Sequence, residues 1–218
     1  MTTLVIGANG QIGKQFCELA QKAGTPIKAM IRSDEQAAWF KEHGIDTVVA
    51  DLEGEFEHAF DGCDQVVFTA GSGPHTGPDK TLMIDLFGAI RTADIAKQKG
   101  LSRYIMISAM RAEQPLDAPE KMRPYMAAKF AADAHLRNSG LPYVILKPGR
   151  LTDEAGSQRF ASSLEEAGDN QISRANVAHA LLHAVQKPDL VNQEYLLLDG
   201  KRSIGEIIQE PGPSRSLR

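Results

Sequence analysis

The segment Gly7-Ala8-Asn9-Gly10-Gln11-Ile12-Gly13 constrains this chain more than any other. It stands between a short apolar run, Leu4-Val5-Ile6, and a stretch in which Ile12, Phe16, Leu19, Ala20 and Ala23 recur at helical spacing until Gly24 and Pro26. Glycine at every third position of a strand–turn–helix junction has a physical reading. Gly7 permits a tight turn, Gly10 lets the backbone approach a pyrophosphate, and Gly13 lets the helix pack close to the strand. Asn9, Gln11 and Ile12 complete the loop, and the helix start offers phosphates free N–H groups and a positive dipole end. The triplet carries this meaning only in the first strand–turn–helix of an alternating chain, which is where it stands.

Alternation continues downstream. Apolar runs predict strands at Ile27–Ile31, Thr47–Val49, Gln65–Thr69, Tyr104–Ser108, Tyr143–Lys147 and Tyr195–Leu198. Helical patterns fall between them. One is capped by Ser33 or Asp34 and ends at His43-Gly44, a short one covers Glu53–Phe60, and a long one ends at Gly100. Two more cover about Arg123–Asn138 and about Arg174–Gln186, and a final short helix follows the last strand. Strands that are apolar throughout indicate a sheet buried on both faces, so the expected fold class is α/β: a doubly wound parallel sheet, an NAD(P)-binding Rossmann fold. Residues 1–210 are read as one such domain, with a small substrate-side subregion within 149–192. Residues 211–218 are read as a disordered tail.

The end of the second strand selects the dinucleotide. A site for NAD usually has a carboxylate there to bond the ribose 2′-hydroxyl. Here Arg32-Ser33 stand instead, and a guanidinium with a hydroxyl suits the 2′-phosphate of NADP. Asp34 is read as a helix cap. At the third strand end, Asp51-Leu52 could accept from the adenine amino group. At the fourth, Thr69-Ala70-Gly71 leave room for ribose and phosphates.

Together these residues resemble the short-chain dehydrogenase/reductase superfamily, in its atypical single-domain branch of NAD(P)-binding, NAD-dependent epimerase/dehydratase-like proteins. The motifs that carry the resemblance are GANGQIG, Arg32, ADLEG (50–54), TAGSG (69–73), MISA (106–109), YMAAK (125–129) and KPGRLTDE (147–154). It implies that Tyr125 and Lys129 are the superfamily's Tyr-x-x-x-Lys pair and that Lys129 also holds the nicotinamide ribose. A spacing of four puts the two on one helix face, where an ammonium would lower the phenol's pKa and ready it to protonate a carbonyl. Ser108 stands where the resemblance places the catalytic serine, although Ala109 and Met110 follow where relatives often carry further hydroxyls. Pro148-Gly149-Arg150-Leu151 match the loop that passes the nicotinamide, its backbone able to meet the carboxamide. Thr152, Asp153 and Glu154 border the substrate space.

Other patterns exclude more than they suggest. With 24 Lys and Arg against 28 Asp and Glu, the chain shows no basic face for nucleic acid. Cys17 and Cys63 are too few for a disulfide framework. No signal peptide or bilayer-length apolar run is evident, so a cytoplasmic location and no membrane partner are expected. His179 and His183, four apart on a helix, lack a third ligand, so no metal is expected. His75 is read as a loop histidine near the site. The expected partner is a small-molecule substrate, with a homo-oligomer left open. The leading function is hydride transfer from NADPH to a small carbonyl, quinone or similar acceptor. The alternatives are an NADP(H)-binding redox sensor and, third, a nucleotide-sugar epimerase or dehydratase.

Overall fold

The computed structural model describes residues 1–73 and 75–209, so the expected tail at 211–218 lies outside the described residues. An eight-stranded sheet organises the chain. Its order is β3 (Asp46–Val49), β2 (Ile27–Ile31), β1 (Thr3–Ile6), β4 (Gln65–Phe68), β5 (Arg103–Ile107), β6 (Tyr143–Pro148), β10 (Gln193–Asp199) and β8 (Phe160–Ala161). Every neighbouring pair is parallel except β10 with β8. This is the doubly wound α/β sheet expected from the alternation. The order in which strands are added reverses between β1 and β4, which opens a crevice at their carboxyl ends.

The strands read as continuously apolar because both faces are covered. Period-two geometry sends Val5, Val67, Ile105, Val144 and Leu146 into one core, and Leu4, Ile6, Val66, Phe68, Met106 and Ile145 into the other. The first core packs under α1 (Gln11–Lys22) and α7 (Arg174–Val185), which lie side by side. The second packs under α4 (Ala89–Gln98) and α5 (Arg123–Asn138). Between them, α2 (Ala37–Glu42) follows β2.

Three regions differ from the sequence reading. Of the expected caps Ser33 and Asp34, Ser33 stands at the N-cap of a 3-10 turn (Asp34–Gln36) without a side-chain cap bond, its hydroxyl turned to Glu35, and Gln36 Oε1 accepts from Arg32 N at 2.9 Å. The helix expected at Glu53–Phe60 shrinks to a 3-10 turn at Glu57–Phe60. The long helix ending near Gly100 is composite. It starts as α3 (Pro78–Lys80), runs through a π-helical stretch at Thr81–Gly88, and only then becomes α4. A π stretch changes which side chains face the core, and such segments concentrate at functional sites. Beyond β6 the chain adds a parallel pair, β7 (Arg150–Thr152) with β9 (Gln171–Ser173), and a short helix, α6 (Leu164–Ala167), that apolar spacing did not reveal. It ends in α8 (Ile204–Ile207).

Candidate active site

A pocket of about 320 Å³ opens at the switch between β1 and β4. Gly7, Asn9, Gly10, Arg32, Asp51, Leu52, Thr69, Ala70 and Gly71 line it, from the glycine loop and from the ends of β2, β3 and β4. The glycines divide by what surrounds them. A Cβ on Gly7 would sit 2.5 Å from Ala70 N, and one on Gly13 would sit 2.3 Å from Gly7 O, so both are demanded by the protein's own packing. Gly10 would meet only Gly7 O, at 3.2 Å, and is exposed at the pocket. As N-cap of α1 it supplies no side-chain bond. The first N–H groups of α1, at Gln11, Ile12 and Gly13, therefore lack intrahelical acceptors and suit a phosphate.

The far rim of the pocket is set by polar contacts. Arg32 is exposed, and its guanidinium has no hydrogen bond or ion pair among the described residues. Asp51 Oδ1 accepts from Glu53 N at 3.0 Å, which holds the turn and orients the carboxylate. Arg91 Nη1 donates to Leu52 O at 3.2 Å beneath the same loop. Glu53 and Lys80 pair at 2.7 Å along the lining. Ser72 of the TAGSG motif also lines the pocket, as do Met30, Gln36, Thr76 and Ile84, which were not singled out in the sequence because nothing but the fold brings them there.

Beyond the pocket, at the carboxyl ends of β5 and β6, lies a buried polar cluster. Lys129 Nζ lies 5.6 Å from the centre of the Tyr125 ring, so α5 does bring the pair together. Lys129 is buried, donates to Ile107 O at 3.3 Å and pairs with Asp85 Oδ1 at 3.2 Å. Asp85, in the π-helical stretch, also accepts from Ser72 N at 2.9 Å. The expected lowering of the phenol's pKa is not what this environment gives. Burial pushes Tyr125 up, Lys129 pulls it down, and the carboxylates of Asp85 and Asp133 push it up again, for a net rise. Burial pulls the Lys129 ammonium down, but Tyr125 and Asp85 outweigh it and raise it.

Ser108 is buried and donates to Asp133 Oδ2 at 2.8 Å. Burial pushes Asp133 up to about 6 against the pull of Ser108, Lys147, Arg137 and Lys129, and its Oδ1 is buried without a hydrogen bond. Arg137 and Lys147 lie 3.8 and 3.9 Å from Asp133 Oδ2 but sit closer to Glu194, at 2.6 and 3.0 Å. Asp85 and Asp133 were missed in the sequence. Asp133 had a signal, since Tyr125, Lys129 and Asp133 are spaced by four along one helix face. Asp85 had none, because its inward direction depends on the π register.

After β6, Gly149 N donates to Leu197 O at 3.0 Å and Arg150 N to Asn170 O at 2.7 Å. A Cβ on Gly149 would lie 2.2 Å from Asn170 O. Those two N–H groups are thus engaged within the protein, which leaves other backbone atoms of the loop to meet a carboxamide. Pro148 is buried in β6, Arg150 is exposed and Leu151 packs on the core. Asp153 pairs with Arg174 at 2.7 Å, and Thr152 Oγ1 is buried without a partner. His75 is exposed. His183 borders a separate cavity of about 400 Å³ with Lys187, Asp189 and Tyr195, at the amino-terminal ends of the strands and away from every predicted site residue.

Comparison with known proteins agrees with this arrangement. A family model described as NAD(P)H-binding matches residues 7–188. A Bacillus subtilis protein named as an uncharacterized sugar epimerase, YhfK, is 38% identical over 96% of this chain and all of its own. A solved structure from Bacillus halodurans, assigned provisionally as an NAD-dependent epimerase/dehydratase, superposes with a TM-score of 0.90 at 37% identity, covering 96% of this chain and 99% of that one. The oxidoreductase ylbE of Lactococcus lactis shares the fold, with a TM-score of 0.85 at 24% identity over 96% and 95% of the two chains. Among the described residues no helix is long and apolar enough to cross a membrane.

Proposed function

The chain belongs to the NAD(P)H-binding family, and from that premise we propose that it is an NADPH-dependent reductase of the short-chain dehydrogenase/reductase type, acting on a small carbonyl, quinone or similar acceptor. The observation that carries the choice of dinucleotide is Arg32. It is exposed, unpaired among the described residues, and lines the pocket at the end of β2, where a 2′-phosphate would lie. When bound, NADPH supplies a hydride. The glycine loop holds its pyrophosphate, Asp51 and Leu52 flank the adenine, and Thr69 to Gly71 border the ribose. Lys129 would hold the nicotinamide ribose, and Tyr125 would give the proton that the reduced acceptor oxygen needs. Pro148 to Leu151 close the nicotinamide end. The raised phenol keeps its proton in the free protein, and Lys129 is the neighbour that favours its release.

A second reading draws support from Ser108. Its proton is engaged by Asp133, so it is not free to polarise a carbonyl while that carboxylate is ionised. A protein that binds NADP(H) and signals its redox state to a partner would need no such polarisation. The sugar epimerase name of the Bacillus subtilis relative belongs to a third reading, which retention of a nucleotide sugar through purification would support.

Equilibrium binding of NADPH and NADH to wild type and Arg32→Ala tests the cofactor. NADPH should bind at least tenfold tighter than NADH, and Arg32→Ala should erase most of the difference, since a charge-assisted phosphate contact is worth about 1.5–3 kcal/mol. Equal wild-type affinities would overturn the assignment. NADPH oxidation with a quinone panel, lost in Tyr125→Phe, separates reductase from sensor.

A further inference from the structure

Ser108 is followed by Ala109-Met110-Arg111-Ala112, which closes as a turn with Ala112 N donating to Ala109 O at 3.2 Å. Arg111 occupies its third position with φ of +60°. That conformation favours Gly or Asn, and a side chain with a Cβ is held there at a cost. Only three non-glycine residues among those described have positive φ, and Arg111 alone of them follows a candidate catalytic residue so closely. Residues kept in such a conformation beside reacting groups point to a function for the side chain, because glycine would satisfy the turn more cheaply.

The side chain has no structural employment. Arg111 is exposed, and its guanidinium makes no hydrogen bond or ion pair among the described residues. Arg150 is likewise exposed and unpaired on the neighbouring loop. The two loops leave the sheet side by side, joined by Met110 N donating to Pro148 O at 2.9 Å. Of the nearby carboxylates, Glu113 pairs with Lys147 at 3.1 Å and Asp153 with Arg174 at 2.7 Å, while exposed Glu154 makes no ion pair with either arginine among the described residues. Two uncommitted guanidinium groups therefore stand at the carboxyl ends of β5 and β6, on the side where the acceptor must approach.

We propose that Arg111, with Arg150 on the adjacent loop, docks a carboxylate or similar anionic group of the acceptor, so that the substrate class is an anionic carbonyl or quinone compound. Planar guanidinium forks recognise carboxylates by paired hydrogen bonds, and two of them would orient the acceptor toward the hydride. This rests on the reductase reading.

The test measures binding of 2-naphthoate and of its uncharged analogue 2-naphthamide to the protein–NADPH complex, followed by nicotinamide fluorescence. Wild type should favour naphthoate at least tenfold. Arg111→Gly removes the guanidinium and suits the backbone better, so it should melt no lower than wild type yet lose most of the preference. Arg111→Lys should keep part of it, and Arg150→Ala should weaken it further in combination. Equal affinity for the two probes in wild type, no detectable naphthoate binding, or a preference that survives Arg111→Gly would overturn the proposal. Reduction of neutral 1,2-naphthoquinone is measured separately. Turnover without naphthoate preference sinks only this inference, whereas naphthoate preference without turnover of any quinone or carbonyl sinks the reductase reading.

Discussion

Ser108 Oγ donates its proton to buried Asp133 Oδ2 at 2.8 Å, which diverts the hydrogen bond that a serine polarising a carbonyl would donate. Asp133 is one helical turn beyond Lys129 and two beyond Tyr125, so one face of α5 carries the phenol, the ammonium and the carboxylate that controls the serine. Burial holds that carboxyl up at about 6, against the pull of Ser108, Lys147, Arg137 and Lys129. Its protonation state therefore decides which atom of the pair donates.

The catalytic consequence has a sign. Below about pH 6 Asp133 carries a proton and can donate to Ser108 Oγ, freeing the serine hydroxyl for an acceptor carbonyl. Turnover with a quinone should rise as pH falls through that region, by about tenfold, the worth of one good hydrogen bond. Ser108→Ala should flatten this limb of the pH–kcat profile. A limb that persists in Ser108→Ala would show that another group titrates there.

Stability should move the same way. A carboxyl whose folded pKa is raised from 3.8 to about 6 contributes stability that is complete below the unfolded value and lost as pH rises through the folded one. Between about pH 4 and pH 6.5, wild type should lose on the order of 2–3 kcal/mol relative to Asp133→Asn. Urea unfolding of both proteins across that range measures the difference. Parallel curves would mean that Arg137 and Lys147 hold Asp133 ionised.

The Tyr125 phenol is raised by burial and by the charges of Asp85 and Asp133, with Lys129 opposing. Asp85→Asn removes one of the raising charges and, at 3.2 Å, the ion-pair partner of Lys129. The phenol pKa should fall, and the alkaline limb of the pH–rate profile should shift down with it. Difference titration of tyrosinate absorbance against Tyr125→Phe isolates this group. An unchanged phenol in Asp85→Asn would make the pair merely structural.

The fold was legible because its central strands are almost continuously apolar and its loops are punctuated by glycine. The alternation from Leu4 to Lys147 leaves few other architectures. Arg32 and Gly10 were legible for the same reason, since their distance from a strand end is fixed by the fold. What escaped depends on geometry that spacing does not encode. Asp85 faces inward through a π register, and β7 and β9 are three-residue strands with no periodicity to read. The rise of the Tyr125 pKa escaped because it belongs to carboxylates on other elements and at other turns. The spacing of Tyr125 and Lys129 names only the opposing charge.

The glycine loop yields a pair of substitutions with separate outcomes. Gly13→Ala forces a Cβ to within 2.3 Å of Gly7 O, so the helix must withdraw from the strand. It should cost about 2 kcal/mol in urea unfolding. Gly10→Ala meets only Gly7 O at 3.2 Å and is otherwise open to the pocket, so stability should change by less than about 1 kcal/mol. NADPH affinity should nonetheless fall at least tenfold, because the methyl occupies the pyrophosphate's approach. Wild-type affinity in a folded Gly10→Ala protein would move the phosphates elsewhere.

Far from the pocket, Arg103 is fully buried at the start of β5 and binds five times. Nε and Nη2 reach Gln65 Oε1 at 3.1 and 2.8 Å, Nη2 reaches Val185 O at 3.1 Å, and Nη1 reaches Leu190 O at 3.0 Å and also Lys187 O. Val185 ends α7, so one guanidinium collects carbonyls from the helix terminus and the turn after it, and ties both to β4 and β5. Burial lowers its pKa and nearby Asp189 opposes this, but an arginine stays charged there. Arg103→Met fills similar space and strands those carbonyls. It should destabilise the protein by about 3–4 kcal/mol while leaving NADPH affinity unchanged, because the site is at the other end of the sheet. Urea midpoints with NADPH titrations measure both. A loss below about 1 kcal/mol would mean that water satisfies the carbonyls as well as the guanidinium does.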